Sequence, residues 1–305
     1  MRSVMSVVLK PRKLRPRSAH HPSGLGECSF IINGNAPEHN WAGLGCLSIK
    51  SFHGGEALYD IGRGRFRIGS DSYLILNQSQ HYEITVQAQP TISSFCLFFE
   101  DGFAEDVQYS LTTPAAKLLD NPQPPPRETL RFFERTYQHD DLLSPALFRL
   151  RAQLPAHKHD EAWINEQLSD VMRRLLLVHQ RVRREVERFP ALRAATREEL
   201  YRRLHRAKDF LAASFDQSVT LDDAAAIACL SPNHFLRTFQ QAFGQTPHQF
   251  LTAQRITRAE RLLRQTTLPV TDICLAVGFE SLGSFSTLFR RHRGLSPEQF
   301  RRSKR

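Results

Sequence analysis

The sequence predicts an α+β protein of two domains, an N-terminal antiparallel β-barrel with dimerisation helices and a C-terminal all-α double helix-turn-helix. Three observations support this prediction. Apolar residues alternate with polar ones between Cys28 and about Glu100, with frequent Gly, Asn and Ser between the runs. One helical pattern occurs twice between Thr220 and Phe300. The chain has 305 residues, which suffices for about two domains that each bury a core.

The repeat is visible when Leu221 to Phe250 is aligned with Thr271 to Phe300 at an offset of 50 residues, without a gap. The alignment pairs acidic, small, aromatic and turn-forming residues with residues of the same type. The pairs are Asp222 with Asp272, Ala226 with Ala276, Ser231 with Ser281, Phe235 with Phe285, Phe239 with Phe289, Gly244 with Gly294, Pro247 with Pro297, Gln249 with Gln299 and Phe250 with Phe300.

Each copy is predicted to be a short helix, a turn and a second helix. In the first copy Thr220 is the expected N-cap of the first helix, and Ser231 caps a second helix that ends at Gly244. This order is typical of a helix-turn-helix, whose second helix enters a DNA major groove. We therefore predict such motifs at about 220–243 and 270–293. An all-α solenoid is the alternative, but two copies are too few for a stable one.

The formal net charge of +10 is unevenly distributed. Residues 191–305 hold 18 Lys and Arg against 10 Asp and Glu, whereas residues 18–190 hold 17 against 21. Residues 1–17 hold six basic residues and no acidic one, and we expect 1–26 to form a disordered basic arm. A basic face is often only solvated. Together with the repeat, however, it predicts double-stranded DNA as the partner.

Other features of the composition exclude some classes of protein. No apolar run approaches the length of about 18 residues that a membrane-spanning helix needs, and we expect neither a membrane partner nor a secretory signal. The five cysteines have no paired spacing, which favours buried, reduced thiols and a cytoplasmic location. They are Cys28, Cys46, Cys96, Cys229 and Cys274.

The alternating region, 27–160, is predicted to be a barrel that can hold one small ligand. The candidate strands are Cys28–Asn33, Leu44–Phe52, Ala57–Ile61, Phe66–Ile68, Tyr73–Asn77, Tyr82–Ala88 and Ile92–Glu100. A short helix is expected at Gly102–Tyr109 and a loop at Asn121–Pro126. Two further strands, for which helices are the alternative, are Phe132–His139 and Ala146–Leu154.

A helix over 161–190 has apolar residues at alternating spacings of four and three, as in a coiled coil. This seam predicts a dimerisation helix, with packing inside the chain as the alternative. Its residues are Ile164, Leu168, Val171, Leu175, Val178 and Val182. Beyond a boundary at 190–196, an amphipathic helix from Arg197 to Phe215 is expected to open the second domain, 197–303.

The C-terminal hundred residues resemble the AraC/XylS family of bacterial transcription regulators. The resemblance is carried by Ser231-Pro-Asn-His-Phe-Leu-Arg-Thr-Phe239, by the Gly278-Phe279 pair and by Gly294-Leu-Ser-Pro-Glu-Gln-Phe-Arg301. A looser resemblance to the cupin-type sensor domain of such regulators rests on Tyr73 to Tyr82. The family resemblance implies a domain of seven helices. In it a joining helix, roughly Leu251 to Gln265, presents two recognition helices to one face of the duplex.

The resemblance also implies which residues face DNA. Arg237 is expected to pair with guanine, Asn233 to read adenine, and Thr287 replaces the arginine that family members often have. We therefore predict that the first recognition helix supplies most contacts with bases and that the second mainly contacts the phosphate backbone of DNA. The full set is Asn233, Leu236, Arg237, Gln240, Gln241, Leu282, Gly283, Ser284, Thr287, Arg290 and Arg291.

The same resemblance predicts an activator, a homodimer, a small-molecule effector in the barrel and possible contact with RNA polymerase. Tyr73, Tyr82 and Phe95 are the candidate effector pocket, with core packing as the alternative role of each. His39, His53 and His81 are widely spaced, so neither a metal site nor another cofactor is expected. The alternatives are a ligand-independent DNA-binding protein and a metal-dependent cupin enzyme. The sequence favours a regulator that is not an enzyme.

Overall fold

The computed structural model describes residues 29–35, 39–62, 64–86, 92–120, 129–189 and 194–303. The chain divides into two compact units, Met1–Phe189 and Pro190–Arg305. The predicted basic arm, 1–26, and the predicted loop Asn121–Pro126 lie outside the described residues. None of the described helices is both long and apolar enough to span a membrane.

The first unit is built on two antiparallel sheets. The strands are β1 (Phe30–Asn35), β2 (His39–Gly45), β3 (Ser48–His53), β4 (Ala57–Asp60), β5 (Arg65–Ile68), β6 (Ser72–Leu76), β7 (Gln80–Val86), β8 (Ser93–Phe98) and β9 (Thr136–Gln138). One sheet has the order β1-β8-β3-β6-β9 and the other has the order β2-β7-β4-β5. The predicted antiparallel fold class is confirmed.

A single apolar core lies between the sheets. The five-stranded sheet contributes Phe52, Leu74 and Phe98, and the four-stranded sheet contributes Tyr59 and Phe66, all of them buried. The strand pattern explains this placement, because alternate residues of a strand project to opposite faces of its sheet. The remaining residues of β3, β6 and β8 are also buried, except for the partly exposed His53 and Ser93, which contact Phe148 and Arg151.

Several predicted boundaries need correction. The predicted strand Leu44–Phe52 is two strands, β2 and β3, because the chain turns at Cys46 and Leu47. Of the predicted strand Phe132–His139, only β9 is extended and paired. The predicted strand Ala146–Leu154 is wrong, because this segment lies within a helix that Pro145 opens at its first turn.

The first unit has four helices among its described residues: α1 (Phe103–Thr112), α2 (Ala115–Asp120), α3 (Ser144–His157) and α4 (Glu161–Glu187). Asp160 caps α4 by accepting a hydrogen bond from the backbone N–H of Trp163. Helix α4 packs against α1 and α3, and the ring of its buried His179 contacts Phe132 and Phe133. Its apolar stripe is therefore used inside the unit.

The predicted dimer seam is corrected by this packing. The periodicity of the seam predicts a partner chain, but every one of its residues is at most 4% exposed in the single chain. A buried side chain has no surface left for a second copy of the chain, so these residues pack within the unit. They are Ile164, Leu168, Val171, Leu175, Val178 and Val182.

The second unit contains seven helices among its described residues, as the resemblance implied. They are α5 (Ala194–Ala213), α6 (Leu221–Ile227), α7 (Pro232–Phe243), α8 (Pro247–Gln265), α9 (Val270–Ala276), α10 (Leu282–Arg293) and α11 (Pro297–Arg302). Helix α8 is longer than predicted, because Thr246 and Gln249 form a capping box that starts it at Pro247. Its 19 residues extend about 28 Å.

The sequence repeat is also a structural repeat. Phe235 and Phe239 of α7 are fully buried, as are their partners Phe285 and Phe289 of α10. Both helices end at a glycine in the left-handed conformation, at φ 70° for Gly244 and 78° for Gly294. The repeat extends into the next helix, because Ser296 and Gln299 form the same capping box before α11 as Thr246 and Gln249 form before α8.

The turn between α6 and α7 is one residue shorter than the turn between α9 and α10, although the sequence alignment has no gap. Helix α9 begins and ends one residue earlier in the alignment than α6, whereas α7 and α10 begin in register. The left-handed residue of the first turn is consequently Cys229, at φ 51°, and that of the second is Gly278, at φ 85°. A non-glycine residue in this conformation is strained, because its Cβ approaches the following carbonyl oxygen.

Replacement of Cys229 by glycine is therefore expected to stabilise the second unit by about 1 kcal/mol. The Cys229 side chain is exposed, so little packing is lost. The matched control is Ala226→Gly in the exposed part of α6, which should destabilise by about 1 kcal/mol because glycine is a poor helix former. Urea denaturation measures both changes. Destabilisation by Cys229→Gly would show that the left-handed conformation of Cys229 does not reduce the stability of the unit.

Candidate nucleic-acid interface

Helix α7 has one buried face and one face open to solvent. Phe235, Thr238 and Phe239 are buried against the rest of the unit. Most of the residues predicted to face DNA lie on the other side: Asn233, Arg237, Gln240 and Gln241 are exposed and Leu236 is partly exposed. The buried phenylalanines fix the rotation of the helix, since Phe235 contacts Phe239 and Phe239 contacts Phe250.

Helix α10 is oriented in the same way. Phe285 is fixed between Phe279 and Phe289, with ring centroids 5.3 and 5.7 Å away. All of the residues predicted to face DNA are exposed on this helix, namely Leu282, Gly283, Ser284, Thr287, Arg290 and Arg291. Ser281 caps the helix and accepts a hydrogen bond from the backbone N–H of Ser284.

The exposed guanidinium groups of both helices are available to a ligand. Those of Arg237, Arg290 and Arg291 make no ion pair or hydrogen bond with any residue that the structure describes. Arg293 differs, because its Nε lies 2.7 Å from a carboxylate oxygen of Glu260 on α8. Arg293 therefore holds α10 against α8 and does not add to the free positive charge.

Other arginines of this unit also serve the fold. Arg255 of α8 donates from Nε to the carbonyl of Phe215 at 2.7 Å and from Nη2 to the carbonyl of Gln217 at 2.8 Å. Arg203 of α5 pairs with Glu199 at 2.6 Å. Only some of the basic residues of this unit are thus available to DNA. They include the arginines on the exposed faces of α7 and α10. Sequence reasoning could not separate these two groups of arginines.

Gly283 gives a prediction that separates folding from binding. It lies in the first turn of α10, and a Cβ built there has only the Ser281 hydroxyl oxygen near it, at 3.7 Å. Gly283→Ala should therefore stabilise the unit by about 0.5 kcal/mol, since alanine favours the helix. Where DNA approaches this turn closely, the same methyl group obstructs it and weakens binding.

The measurements are urea denaturation and fluorescence anisotropy with labelled duplex DNA. Ser286→Ala, on the partly buried side of the same helix, is the control for a change of helix propensity alone. Unchanged DNA affinity in Gly283→Ala, with the expected gain in stability, would show that this turn does not contact DNA.

The three candidate pocket residues do not converge. Ser51 of β3 lies opposite both Tyr73 and Phe95 on the neighbouring strands, so Tyr73 and Phe95 share one face of the sheet. That face is turned away from the core between the sheets. There the Tyr73 hydroxyl donates to Asp140 at 2.8 Å. Tyr82, by contrast, belongs to the core between the sheets. Of the three, only Tyr82 faces the core between the sheets.

Sequence reasoning missed one interior residue, Lys50. It lies opposite Leu74 and Cys96 on neighbouring strands, and both belong to the core between the sheets. Lys50 therefore projects into that core, where it is 2% exposed. Its Nζ donates to the Tyr82 hydroxyl at 3.4 Å. The described residues contain no group of three or more His, Cys, Asp or Glu side chains that could hold a metal ion.

The second unit is thus a double helix-turn-helix domain, in which two exposed recognition helices are packed on α8. A family model described as a helix-turn-helix domain matches residues 224–303. These residues contain the two motifs except for the first turn of α6. The chain accordingly carries a C-terminal helix-turn-helix domain of the AraC type, as the resemblance predicted.

The chain is similar to curated regulators over this domain. The melibiose operon regulatory protein of Escherichia coli K12 is 36% identical over 93 residues, covering 30% of this chain and 31% of the relative. The transcriptional activator RhaS of Enterobacter sp. strain 638 is 35% identical over 102 residues, covering 33% and 37%. The matched segments thus span about a third of the length of these relatives.

A solved structure is also similar. The C-terminal domain of AraT, a response regulator from Geobacillus stearothermophilus, is 33% identical with a TM-score of 0.32. The similarity covers 33% of this chain and 84% of that domain.

Proposed function

We propose that this protein is a sequence-specific DNA-binding transcription regulator, with a recognition domain in the second unit and a sensor for a small molecule in the first. The observation that carries the proposal is the pair of exposed recognition helices, whose guanidinium groups at Arg237, Arg290 and Arg291 have no partner among the described residues. Their buried aromatic faces hold them rigidly, which is what the reading of base edges requires.

The two helices are suited to different tasks. Arg237 can donate two parallel hydrogen bonds to O6 and N7 of guanine, whereas Thr287 at the matching position cannot. Arg290 and Arg291 lie in the last turn of α10, where cations also favour the helix dipole, and their charges are free for phosphates. We infer that α7 supplies most base specificity and that α10 mainly grips the backbone.

Activation is the direction of regulation that we propose, because one similar regulator is described as a transcriptional activator. The proposal is for a regulator and not for an enzyme. A homodimer, which we also propose, would have to use a surface other than the buried stripe of α4. Analytical ultracentrifugation of the full chain tests this point, with a mass of twice 35.0 kDa expected.

DNA binding is tested by selecting duplexes from a random pool with the purified full chain. The selected duplex is expected to bind about 10³-fold or more tightly than a scrambled one at physiological salt. Equal affinity for both, at every salt concentration, would refute a sequence-specific regulator. Binding at low salt alone would indicate a nonspecific polyanion-binding protein.

Salt dependence tests the grip assigned to α10. The double variant Arg290→Ala/Arg291→Ala should lower the slope of log affinity against log salt by about 2, since each phosphate contact contributes about 0.9. Arg65→Ala removes one exposed positive charge from the first unit and is the control, which should leave the slope unchanged. An unchanged slope in the double variant would show that Arg290 and Arg291 do not contact phosphates.

A further inference from the structure

The interior of the first unit contains a charged side chain that the fold does not neutralise. Lys50 is 2% exposed, and it faces the core that both sheets share. No carboxylate among the described residues pairs with its ammonium group. The titratable groups that act on it electrostatically, among the described residues, are the thiols of Cys96 and Cys46, which are themselves buried.

The partners that Lys50 does have are weak ones. Its Nζ lies 3.4 Å from the Tyr82 hydroxyl oxygen, which is long for a hydrogen bond to an ammonium group. The same nitrogen lies 3.6 Å from the centre of the Phe98 ring and 5.3 Å from that of Tyr82. Burial lowers the pKa of Lys50 to about 8, so the side chain still carries its charge at neutral pH.

Such a charge is unfavourable for folding. A buried ammonium group without a counter-ion is strongly penalised, and an apolar side chain of similar volume would fill the same space without that penalty. Two aromatic rings offset part of the cost through their π faces. The part of the cost that the rings do not offset indicates that Lys50 receives a counter-charge from outside the described residues.

The aromatic residues next to Lys50 connect it to the protein surface. The Tyr82 ring contacts the half-buried ring of Trp41, with centroids 4.7 Å apart. Both rings lie over glycines of β2: a Cβ at Gly45 would come within 2.6 Å of Tyr82, and one at Gly43 within 2.7 Å of Trp41. The absence of those side chains leaves room for the Tyr82 ring beside Lys50 and for the Trp41 ring beside Tyr82.

We propose that Lys50 anchors the carboxylate of a small acidic effector between the two sheets, with the rings of Tyr82, Phe98 and Trp41 holding its apolar body. A monocarboxylate fits because Lys50 supplies one positive charge, and the other residues of the described core cluster are aromatic or aliphatic apart from the thiols of Cys46 and Cys96. This assignment rests on the proposed sensor role of the first unit. It names the chemical class of the effector.

The test uses the full chain and a panel of acids: acetate to octanoate, benzoate and phenylacetate, each paired with its uncharged amide. At least one acid should raise the melting temperature, because a ligand that binds only the folded state stabilises it. Its amide should have no effect. In the Trp163→Phe variant, where Trp41 is the remaining tryptophan, the same acid should shift the fluorescence emission.

Lys50→Met and Lys50→Gln should abolish the effect of the acid. Without any acid, Lys50→Met should melt at the same temperature as the wild type or higher, since it removes an uncompensated charge. Lys117→Met, at an exposed lysine, is the matched control and should keep the acid response. No response to any acid, a response that survives in both Lys50 variants, or a lower melting temperature of acid-free Lys50→Met would each overturn the proposal.

DNA binding is measured on the same proteins with the selected duplex. The Lys50 variants should still bind it when no acid is present. A wild-type protein that responds to an acid but selects no DNA sequence would refute the proposed regulator and leave the acid site standing. A protein that selects a DNA sequence but responds to no acid would refute the acid site and leave the proposed regulator standing.

Discussion

Replacement of Arg237 by alanine is expected to remove sequence discrimination at one base pair of the selected site. A bidentate contact between a guanidinium group and guanine contributes about 1–3 kcal/mol of discrimination, which corresponds to a roughly 5- to 150-fold preference. Arg237 is exposed and unpaired among the described residues, so its loss should not disturb the fold. Random-duplex selection with Arg237→Ala should yield a motif in which one formerly invariant guanine is degenerate.

Thr287→Ala is the matched variant, because Thr287 occupies the equivalent position of α10. It should reduce affinity slightly and leave the motif intact, since threonine cannot make the two-pronged contact with guanine. Arg237→Lys should behave like Arg237→Ala in the selection, because an ammonium group is a point charge without the planar fork. Equal loss of discrimination from Arg237→Ala and Thr287→Ala would contradict the division of labour between α7 and α10.

Replacement of Gly278 by alanine is expected to destabilise the second unit by about 3 kcal/mol. Gly278 has a φ of 85°, and a Cβ there would lie 2.6 Å from the carbonyl oxygen of Phe215 and 3.1 Å from Nε of Arg255. The left-handed conformation itself costs about 1 kcal/mol. Displacing Phe215 or Arg255 also breaks their hydrogen bond, which is worth about 2 kcal/mol because it involves a charged group.

Gly294→Ala is the control that separates these two contributions. Gly294 has a φ of 78°, and a Cβ there meets nothing within 4 Å. It should therefore cost only the conformational part, about 1 kcal/mol. Urea denaturation of both variants measures the difference. Equal destabilisation would show that the close approach of Gly278 to Phe215 and Arg255 is relieved at no cost.

The helical repeat was readable from the sequence because each of its signals is local. A capping serine or threonine, a glycine that ends a helix and two phenylalanines one turn apart act within a few residues of the chain. The exposed faces of α7 and α10 follow from that pattern, since fixing Phe235 and Phe285 inside fixes Arg237 and Thr287 outside. The contacts that occupy Arg293 and Arg255 are with Glu260 and Phe215, which are far from them in the chain, and the sequence did not separate these two arginines from free ones.

The first unit shows where local signals fail. A stripe such as Leu168 and Leu175 fits any apolar surface, so its spacing could not distinguish a partner chain from α1 and α3 of the same unit. Strands β3, β6 and β8 are largely buried on both faces. Alternation of polar and apolar residues therefore could not show that Lys50 faces the inner core and that Tyr73 faces the other side, where it contacts Asp140.

The sequence by itself determined the double helix-turn-helix and the approximate ends of its helices, because helical periodicity and helix-end signals are encoded over a few neighbouring residues. Only the tertiary structure decided which arginines are free, what covers the stripe of α4 and which residues line the interior between the sheets. Those properties depend on contacts between residues far apart in the chain, such as Lys50 with Tyr82 and Arg293 with Glu260.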